Sequence, residues 1–562
     1  MAGFATKVDT LIRPDQGTES DIHTVTSRRR TWTLTVACMG VALVVASMIA
    51  LNTTLGDIAV STSATQTQLM WVVDSYTLVL ACLLLPAGAI GDRYGRRAAL
   101  LIGVAIFSVA SIAPVFLDSP VQIIVSRAVA GAGAALVMPA TLSLLTVVYP
   151  KAERTKAVGI WAGVAGSGAV AGMLGSGLLL HFFRWQSIFW ALAGVGLLLF
   201  VLTLTVAESK DSAAAPVDWS GAAIIGSAVA LFVFGVIEAP SRGWGDPLVY
   251  GCIAAGLMLA AVFGFAELRR RHPLLDVRLF GRPDFAAGSA GVMVLFLANF
   301  GFFYVLMQYA QLVLKYSPLQ TALSLSPLIV PMTILSGLSF WYLPRMGLRL
   351  VLFLGLTIMA VGFFWTLRLG LHSSYLDLVW PLVVLATGIG LCTAPTTSAI
   401  MGAVRDEKQG VASAVNDTAR ELGAAIGIAI AGSILAAQYT RGLTPRLSVF
   451  PEPVRGPAAG SLAEAVQISN HLGPQGDTLA EVSRDAFLEA MHSSLLVMGL
   501  VIAVAAVLIG AWAPGRDGRQ LRAVRRLTSL CRRSAGPDEI GGEMGQHHDA
   551  GVRATAGDHG QH

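Results

Sequence analysis

The sequence predicts an all-α polytopic membrane protein, with fourteen transmembrane helices arranged as two six-helix bundles plus two inserted central helices. Three observations carry that prediction. The 562-residue chain is 54% hydrophobic and only 13% charged, with a mean hydropathy of +0.67, whereas soluble domains carry roughly 25% charged residues. Apolar stretches of about 20 residues, long enough to cross a ~30 Å hydrocarbon core as a helix, recur from Trp32 almost to the end. Short motifs of the first half return in the second. A single-anchor receptor is excluded by the number of stretches. An on-chain nucleotide-driven motor is excluded too, because no long soluble segment remains between them and no GxxxxGKS/T phosphate loop occurs. No enzyme activity is expected.

In chain order, a polar tail (1–31) precedes a first span too long to be a cleaved signal. The first bundle (32–207) holds spans beginning near Trp32, Leu69, Ala98, Val121, Lys156 and Ser187. The inserted pair and its linker (208–286) hold spans beginning near Trp219 and Leu248, bounded by Asp218 and the basic run 269–271. The second bundle (287–514) holds spans beginning near Ala287, Thr321, Arg349, Leu378, Val411 and His492. Its Pro- and Gly-rich stretch at about 438–491 reads as an external loop with a short helix. An Arg-rich tail (515–562) follows, with Arg519, Arg522, Arg525 and Arg526 at near-helical spacing. That pattern suits either a helix on anionic headgroups or a basic flank followed by disorder. The closing GQHHDAGVRATAGDHGQH is low-complexity.

Fourteen spans put both termini on one side. One set of short loops holds sixteen Lys and Arg and the opposite set four, Arg184, Arg242, Lys315 and Arg368, so the basic side and both termini are expected in the cytoplasm. Only six lysines occur against many arginines, a usage that fits a GC-rich bacterial genome and hence the inner membrane. Of five cysteines four sit singly in apolar stretches, so no disulfide framework, metal site or cofactor is expected.

The halves repeat one another. Arg93, Gly95 and Arg97 of GDRYGRR recur as Arg345, Gly347 and Arg349, an offset of 252. Gly131 and Gly133 of the fourth span match Gly388 and Gly390 of the twelfth, and the segment from Glu153 matches that from Glu407. Parallel six-helix repeats imply a cavity near the midplane, opened alternately as the halves rock.

These residues resemble the major facilitator superfamily, and within it the 14-span drug:proton antiporters of the quaternary-ammonium and acriflavine exporter type. GAIGDRYGRRAAL (88–100) is similar to the family's loop motif, with Gly88, Asp92, Arg93, Gly95, Arg96 and Arg97 in place. The resemblance implies a latch between bundles, with Asp92 the motif acid and Arg96 its partner. WVVDSYTLVLA (71–81) resembles the second span. Its Asp74, costly in lipid unless it neutralises, pairs or faces water, is the leading proton or cation site, the other reading being a boundary acid at the outer headgroups. SRAVAGAGAAL (126–136) resembles the fourth-span motif with its Arg127, Gly131 and Gly133. Arg127 either tunes a nearby carboxylate, Asp74 being the candidate, or is a structural arginine on backbone carbonyls.

The fifth span resembles the antiporter motif through Gly168, Gly172 and Gly177, with two departures, Met173 where a proline is expected and Ser176 in a later glycine pair. In the first span, aligned on Asn52, Ser47 stands where the family carries an acid. Divalent cationic substrates are therefore disfavoured. Glu238 resembles a family acid of the seventh span and Arg420 an arginine of the thirteenth, each with an interfacial structural alternative. On the ninth span Phe300, Tyr304, Gln308 and Gln311 fall on one α-helical face, suited either to a cavity for amphipathic molecules or to packing between bundles.

The resemblance implies a secondary active multidrug efflux transporter exporting hydrophobic or monovalent cationic compounds in exchange for protons. The alternatives are a dedicated exporter of one endogenous metabolite, antibiotic, lipid or peptide, and a transport-dead sensor. Expected partners are the small-molecule substrate, protons and the bilayer, with no nucleic acid and a monomeric state.

Overall fold

The computed structural model describes residues 27–520 except 52–53, 63, 65, 118, 210–216, 271–272 and 471–473. In lipid every backbone N–H and C=O must be satisfied within its own segment, which leaves a chain of this hydropathy little choice but helix. The elements are α1 (Ser27–Ala50), α2 (Leu55–Thr62), α3 (Gln66–Tyr94), α4 (Arg96–Ile112), α5 (Pro120–Val148), α6 (Lys151–Phe182), α7 (Gln186–Thr203), α8 (Trp219–Arg242) and α9 (Pro247–Arg269) in the first part of the chain. They continue as α10 (Pro283–Gln308), α11 (Pro318–Leu325), α12 (Ile329–Gly337), α13 (Ser339–Thr366), α14 (Tyr375–Gly402), α15 (Gln409–Leu443), α16 (Glu452–Gly460), α17 (Leu462–Ser469) and α18 (Pro474–Trp512). Fourteen are long and apolar enough to cross a membrane, counting the broken pair α11 and α12 as one.

Helices α1 and α3–α7 enclose one core, with Val41, Leu100, Ala134 and Trp161 buried in it. Helices α10–α15 and α18 enclose a second, around Phe302, Leu352, Met359 and Leu385. Between them α8 lies as a wedge, where Val229 and Val233 meet Ala81 of α3 and Leu422 and Ala425 of α15. Trp71 of α3 stacks on Phe234 of α8 at 5.8 Å. Helix α9 reaches the rest chiefly through α8, Gly256 fitting against Phe232, and turns Leu257, Met258, Val262 and Phe265 outward.

The repeat is visible in the backbone. Gly95 and Gly347 both hold positive φ, 119° and 75°, a conformation open to glycine, and each makes the turn between the second and third helices of its bundle. The chain leaving each bundle's sixth helix then straps that turn. Arg96 N donates to Ser209 O (3.0 Å) and the Arg97 guanidinium to Leu204 O (2.7 Å). In the second bundle Arg349 N donates to Pro514 O (3.1 Å) and its guanidinium to Ala513 O and Arg519 O (3.0 and 2.7 Å).

One sequence match needs re-pairing. Gly133 crosses Gly103 of the third helix, and the crossing of that kind in the second bundle is Gly388 on Gly355, whereas Gly131 and Gly390 each face the second helix, at Tyr76 and at Pro331. The packing roles are therefore Gly133 with Gly388 and Gly131 with Gly390. Two residues rotate a helix by about 200°, so positional matching exchanged the faces.

The stretch 438–491 is more ordered than a loop. Helix α15 runs to Leu443, α16 and α17 follow, and α18 begins at Pro474, well before the expected His492. At 39 residues and 1.5 Å per residue, α18 extends about 58 Å, well beyond the ~30 Å core. Its extension is tied down by Arg484 Nε donating to Leu312 O at 3.1 Å and by Phe487 and Leu479, buried in the second core. Asn52, Arg522, Arg525, Arg526 and the low-complexity end lie outside the described residues.

Candidate functional site

Two polar clusters occupy the seam between the bundles, one at the basic end and one in the membrane interior. At the basic end Asp92, 6% exposed, closes the first turn of α3's neighbour across the seam. Its two carboxylate oxygens accept from Gly410 N (2.9 Å) and Val411 N (3.1 Å) at the start of α15. These are N–H groups that a helix cannot bond internally, at the positive end of its dipole. Arg96 donates to Asp92 through Nε and Nη2 at 3.0 and 2.7 Å, and also reaches Asp406 O at 3.0 Å. Arg154 of α6 grips the Asp406 carboxylate with both prongs, 2.8 and 2.9 Å. Gly88 and Gly410 permit the approach, since a Cβ on either would strike the other's carbonyl. Gly95 shapes the turn and Arg97 serves the strap, while among the described contacts Arg93 joins neither.

A second seam mirrors the first. There Gly159 of α6 meets the Ser336 carbonyl of α12. The other glycines of α6 face both ways. Gly168 and Gly172 fit against Ala42 and Ala46 of α1, and Gly177 against Leu319 of α11. Helix α6 runs its 32 residues unbroken, as Met173 in place of proline allows. Met173 is buried in the second bundle's core, and the Ser176 hydroxyl folds back onto the Met173 carbonyl at 3.0 Å.

In the interior Arg127, 2% exposed, donates to Ser47 Oγ (3.1 Å), Ser47 O (3.4 Å) and Val72 O (3.4 Å) and lies 4.2 Å from the Tyr76 ring centroid. Ser47, the position that lacks the family's acid, is thus the residue that holds Arg127. The structure does not bring Asp74 and Arg127 together. Val72 and Tyr76 lie on the Arg127 face of α3, and Asp74, two residues from each, lies about 200° around the helix. It shares its face with Trp71 and Leu78, which pack on α8, the helix that carries Glu238. Glu238 itself pairs with Arg242 at 2.7 Å.

Helix α15 adds groups that sequence reasoning passed over. Arg420 lies 4.5 Å from the Phe296 ring and 5.5 Å from Trp161, flanked by Asp417 at 3.5 Å and, next in sequence, by Glu421. Asp417 Oδ1 accepts from Asn416 Nδ2 at 3.1 Å, and its Oδ2 is buried with no hydrogen-bond partner. The available signal was the acid pair at i and i+4 around Arg420 in an Ala/Gly-rich helix.

Phe300 stacks on Phe296 at 5.9 Å, Tyr304 lies over Gly432 of α15, and Gln308 donates to Tyr304 O at 3.3 Å. Gln311 leaves that face. It sits in a π-helical segment, Tyr309–Val313, whose wider turn breaks the α-helical period assumed for all four.

The chain can be compared with known proteins on this basis. The sequence model of the Major Facilitator Superfamily matches residues 36–428. The chain is 31% identical over 500 residues to the multidrug resistance protein Stp of Mycobacterium tuberculosis, covering 87% of this chain and 93% of that one. It is 31% identical over 506 residues to the tetracenomycin C resistance and export protein of Streptomyces glaucescens, covering 86% and 92%. Among solved structures the proton:xylose symporter XylE aligns with a TM-score of 0.56 at 14% identity, over 89% of this chain and 99% of that one.

The packing of α6 on α1 and the Arg154–Asp406 pair each give a testable expectation. Gly172→Ala, where the new Cβ would sit 2.7 Å from Ala46 Cα, should lower the thermal midpoint of the purified protein, whereas Gly168→Ala, at 3.4 Å from Ala42, should leave it nearly unchanged. Arg154's hydrogen bonds hold the Asp406 carboxyl below the usual carboxylate range. A depressed pKa contributes stability that is full above the ordinary value of about 3.9 and lost as pH falls through the lowered one. The stability difference between wild type and Arg154→Gln should therefore be flat from neutral pH to about pH 5 and shrink below about pH 4.

Proposed function

The chain belongs to the major facilitator superfamily, and on that premise we propose that it is a secondary active multidrug efflux transporter, exporting hydrophobic or monovalent cationic organic compounds in exchange for protons. The observation that carries this reading is the seam itself. Two six-helix bundles meet at the basic end through a few reversible polar contacts on Asp92 and Arg154, while their facing interior surfaces carry aromatic rings and carboxylates. The basic end faces the cytoplasm, as the loop charges favour, with both termini on that side of a bacterial inner membrane. The protein acts as a monomer.

Substrate binds against Trp161, Phe296, Phe300 and Tyr304, whose ring faces suit flat, lipophilic cations and neutral amphiphiles. Ser47 adds no charge there, and the cavity therefore favours single over double positive charge. Protons enter through Asp74 of α3 and Glu238 of α8, acids on two helices that pack together. A downhill proton supplies about 2.3 kcal/mol per 100 mV of membrane potential, which drives accumulation against a gradient. A specific observation favours a second reading, export of one endogenous product, because a similar relative is an export protein for tetracenomycin C.

In everted vesicles, adding a monovalent lipophilic cation to energised membranes should release protons, and Asp74→Asn expressed at wild-type level should abolish that release while retaining substrate binding. Unchanged proton-coupled export by Asp74→Asn would remove Asp74 from the mechanism. Export that persists with both potential and pH gradient collapsed would remove proton coupling altogether.

A further inference from the structure

The two seams share a plan but not their charges. At the α3/α15 seam, Asp92 fills the N-terminus of α15 and Arg96 braces it. In the repeat, at the offset of 252, those positions are Pro344 and Leu348 of α13, so the counterparts of Asp92 and Arg96 carry no charge. The N-cap of α6, Pro150, makes no side-chain cap. Glu153, the acid of the first turn, faces Arg30 at 3.6 Å.

Beside the start of α6 is a cleft of about 590 Å³ between the basic ends of α5 and α6 on one side and of α10 and α14 on the other. Its lining includes Lys151, Arg154, Arg282 and Arg405 against one carboxylate, Asp406, and Asp406 is already spent on Arg154. The Ser398 hydroxyl, also in the lining, is buried with no hydrogen-bond partner. A second cleft of about 300 Å³ adjoins through Thr155, Ser398, Gly402 and Ala403. Its further walls are mostly apolar, with Leu343, Leu348 and Pro395, and Asp284 as its acid.

We propose that this cleft binds the phosphate headgroup of an anionic inner-leaflet phospholipid, held by the cations that line it from both bundles. Three features of the cleft match such a molecule. Lys151, Arg282 and Arg405, which no carboxylate among the described residues pairs with, favour a phosphate monoanion. The cleft lies among the Lys and Arg of the basic end, the side on which anionic lipids concentrate. The second cleft continues from it, with Leu343, Leu348 and Pro395 as a bed for the start of an acyl chain. Lys151 belongs to one bundle and Arg282 and Arg405 to the other, so a bound headgroup ties the bundles together and strengthens the closed basic end. The same cations repel the lipophilic cations assigned to the interior cavity, which keeps the two ligand classes apart.

The inference rests on the orientation proposed above, but lipid binding is read on purified protein without transport, so its failure and the failure of the export reading are separate results. The full chain in phosphatidylcholine nanodiscs would be titrated with phosphatidylglycerol, with further phosphatidylcholine, or with inorganic phosphate, and bound lipid counted by native mass spectrometry. Phosphatidylglycerol alone should bind selectively. The double variant Lys151→Gln/Arg405→Gln should bind it roughly thirtyfold more weakly, as loss of two cations near the surface implies. Arg269→Gln, on the same end but stacked over Phe265 at 4.0 Å outside the cleft, should bind it as wild type does. Unchanged affinity in the double variant, equal binding of phosphatidylcholine, or full competition by inorganic phosphate at low millimolar concentration would each overturn the assignment. Should the double variant prove unstable, Lys151→Gln alone must still show a severalfold loss for the proposal to stand.

Discussion

The arrangement depends on one buried carboxylate, Asp92, held against the N-terminus of a helix from the other bundle. A buried charge is costly unless its lone pairs are matched. Here two backbone N–H groups of α15 and the fork of Arg96 match them. Such charge-assisted bonds contribute about 1.5–3 kcal/mol each, enough to hold two bundles yet small enough to be given back when they rock apart. The backbone fixes the geometry. Gly88 and Gly410 bring the helices within reach, and the positive φ of Gly95 (119°) turns the chain so that Arg96 faces the acid.

From this contact the inserted helices acquire a sense. Helix α8 packs on α3, which carries Asp92, and on α15, which receives it. A movement that draws α15 away from Asp92 must therefore also shift α8, which packs beside Asp74 through Trp71 and Leu78. Asp74 and Asp92 lie on the same helix, α3, and a rigid helix is a direct mechanical link between them. Interior packing differs in kind. Arg127 and Arg420 are both held over aromatic faces, Arg127 by serine and backbone as well, so each charge is accommodated without a strong, direction-fixing carboxylate fork.

The spans were legible in the sequence because they follow from a short-range rule, and the Asp92 loop because it resembles a family motif. About twenty apolar residues make a span, and an acid, a glycine turn and a basic pair at fixed spacing make the Asp92 loop. The helix extending α18 beyond the membrane was not legible, because its packing is set by contacts such as Arg484 to Leu312, 172 positions apart. Gln311 was misplaced because a π segment has no simple composition signal. Asp74 and Arg127 share a depth in one bundle, and depth was readable. The azimuth of Asp74 about α3 was readable as well, from the two-residue spacing to Val72 and Tyr76, but only once the structure showed which face Arg127 occupies. Asp417 and Glu421 were in plain view as embedded acids and were passed over beside Arg420.

The central claim is that Asp92 holds the basic ends of the bundles together. Spin labels at Leu204→Cys in the first bundle and Leu350→Cys in the second, both exposed at that end, report the separation by pulsed electron resonance. Replacing Asp92 with Asn keeps the shape and removes the charge. The account predicts a shift of population from the short to a longer separation by roughly tenfold or more, the equivalent of one charge-assisted hydrogen bond. An unchanged distance distribution in Asp92→Asn, at equal expression and folding, would contradict it.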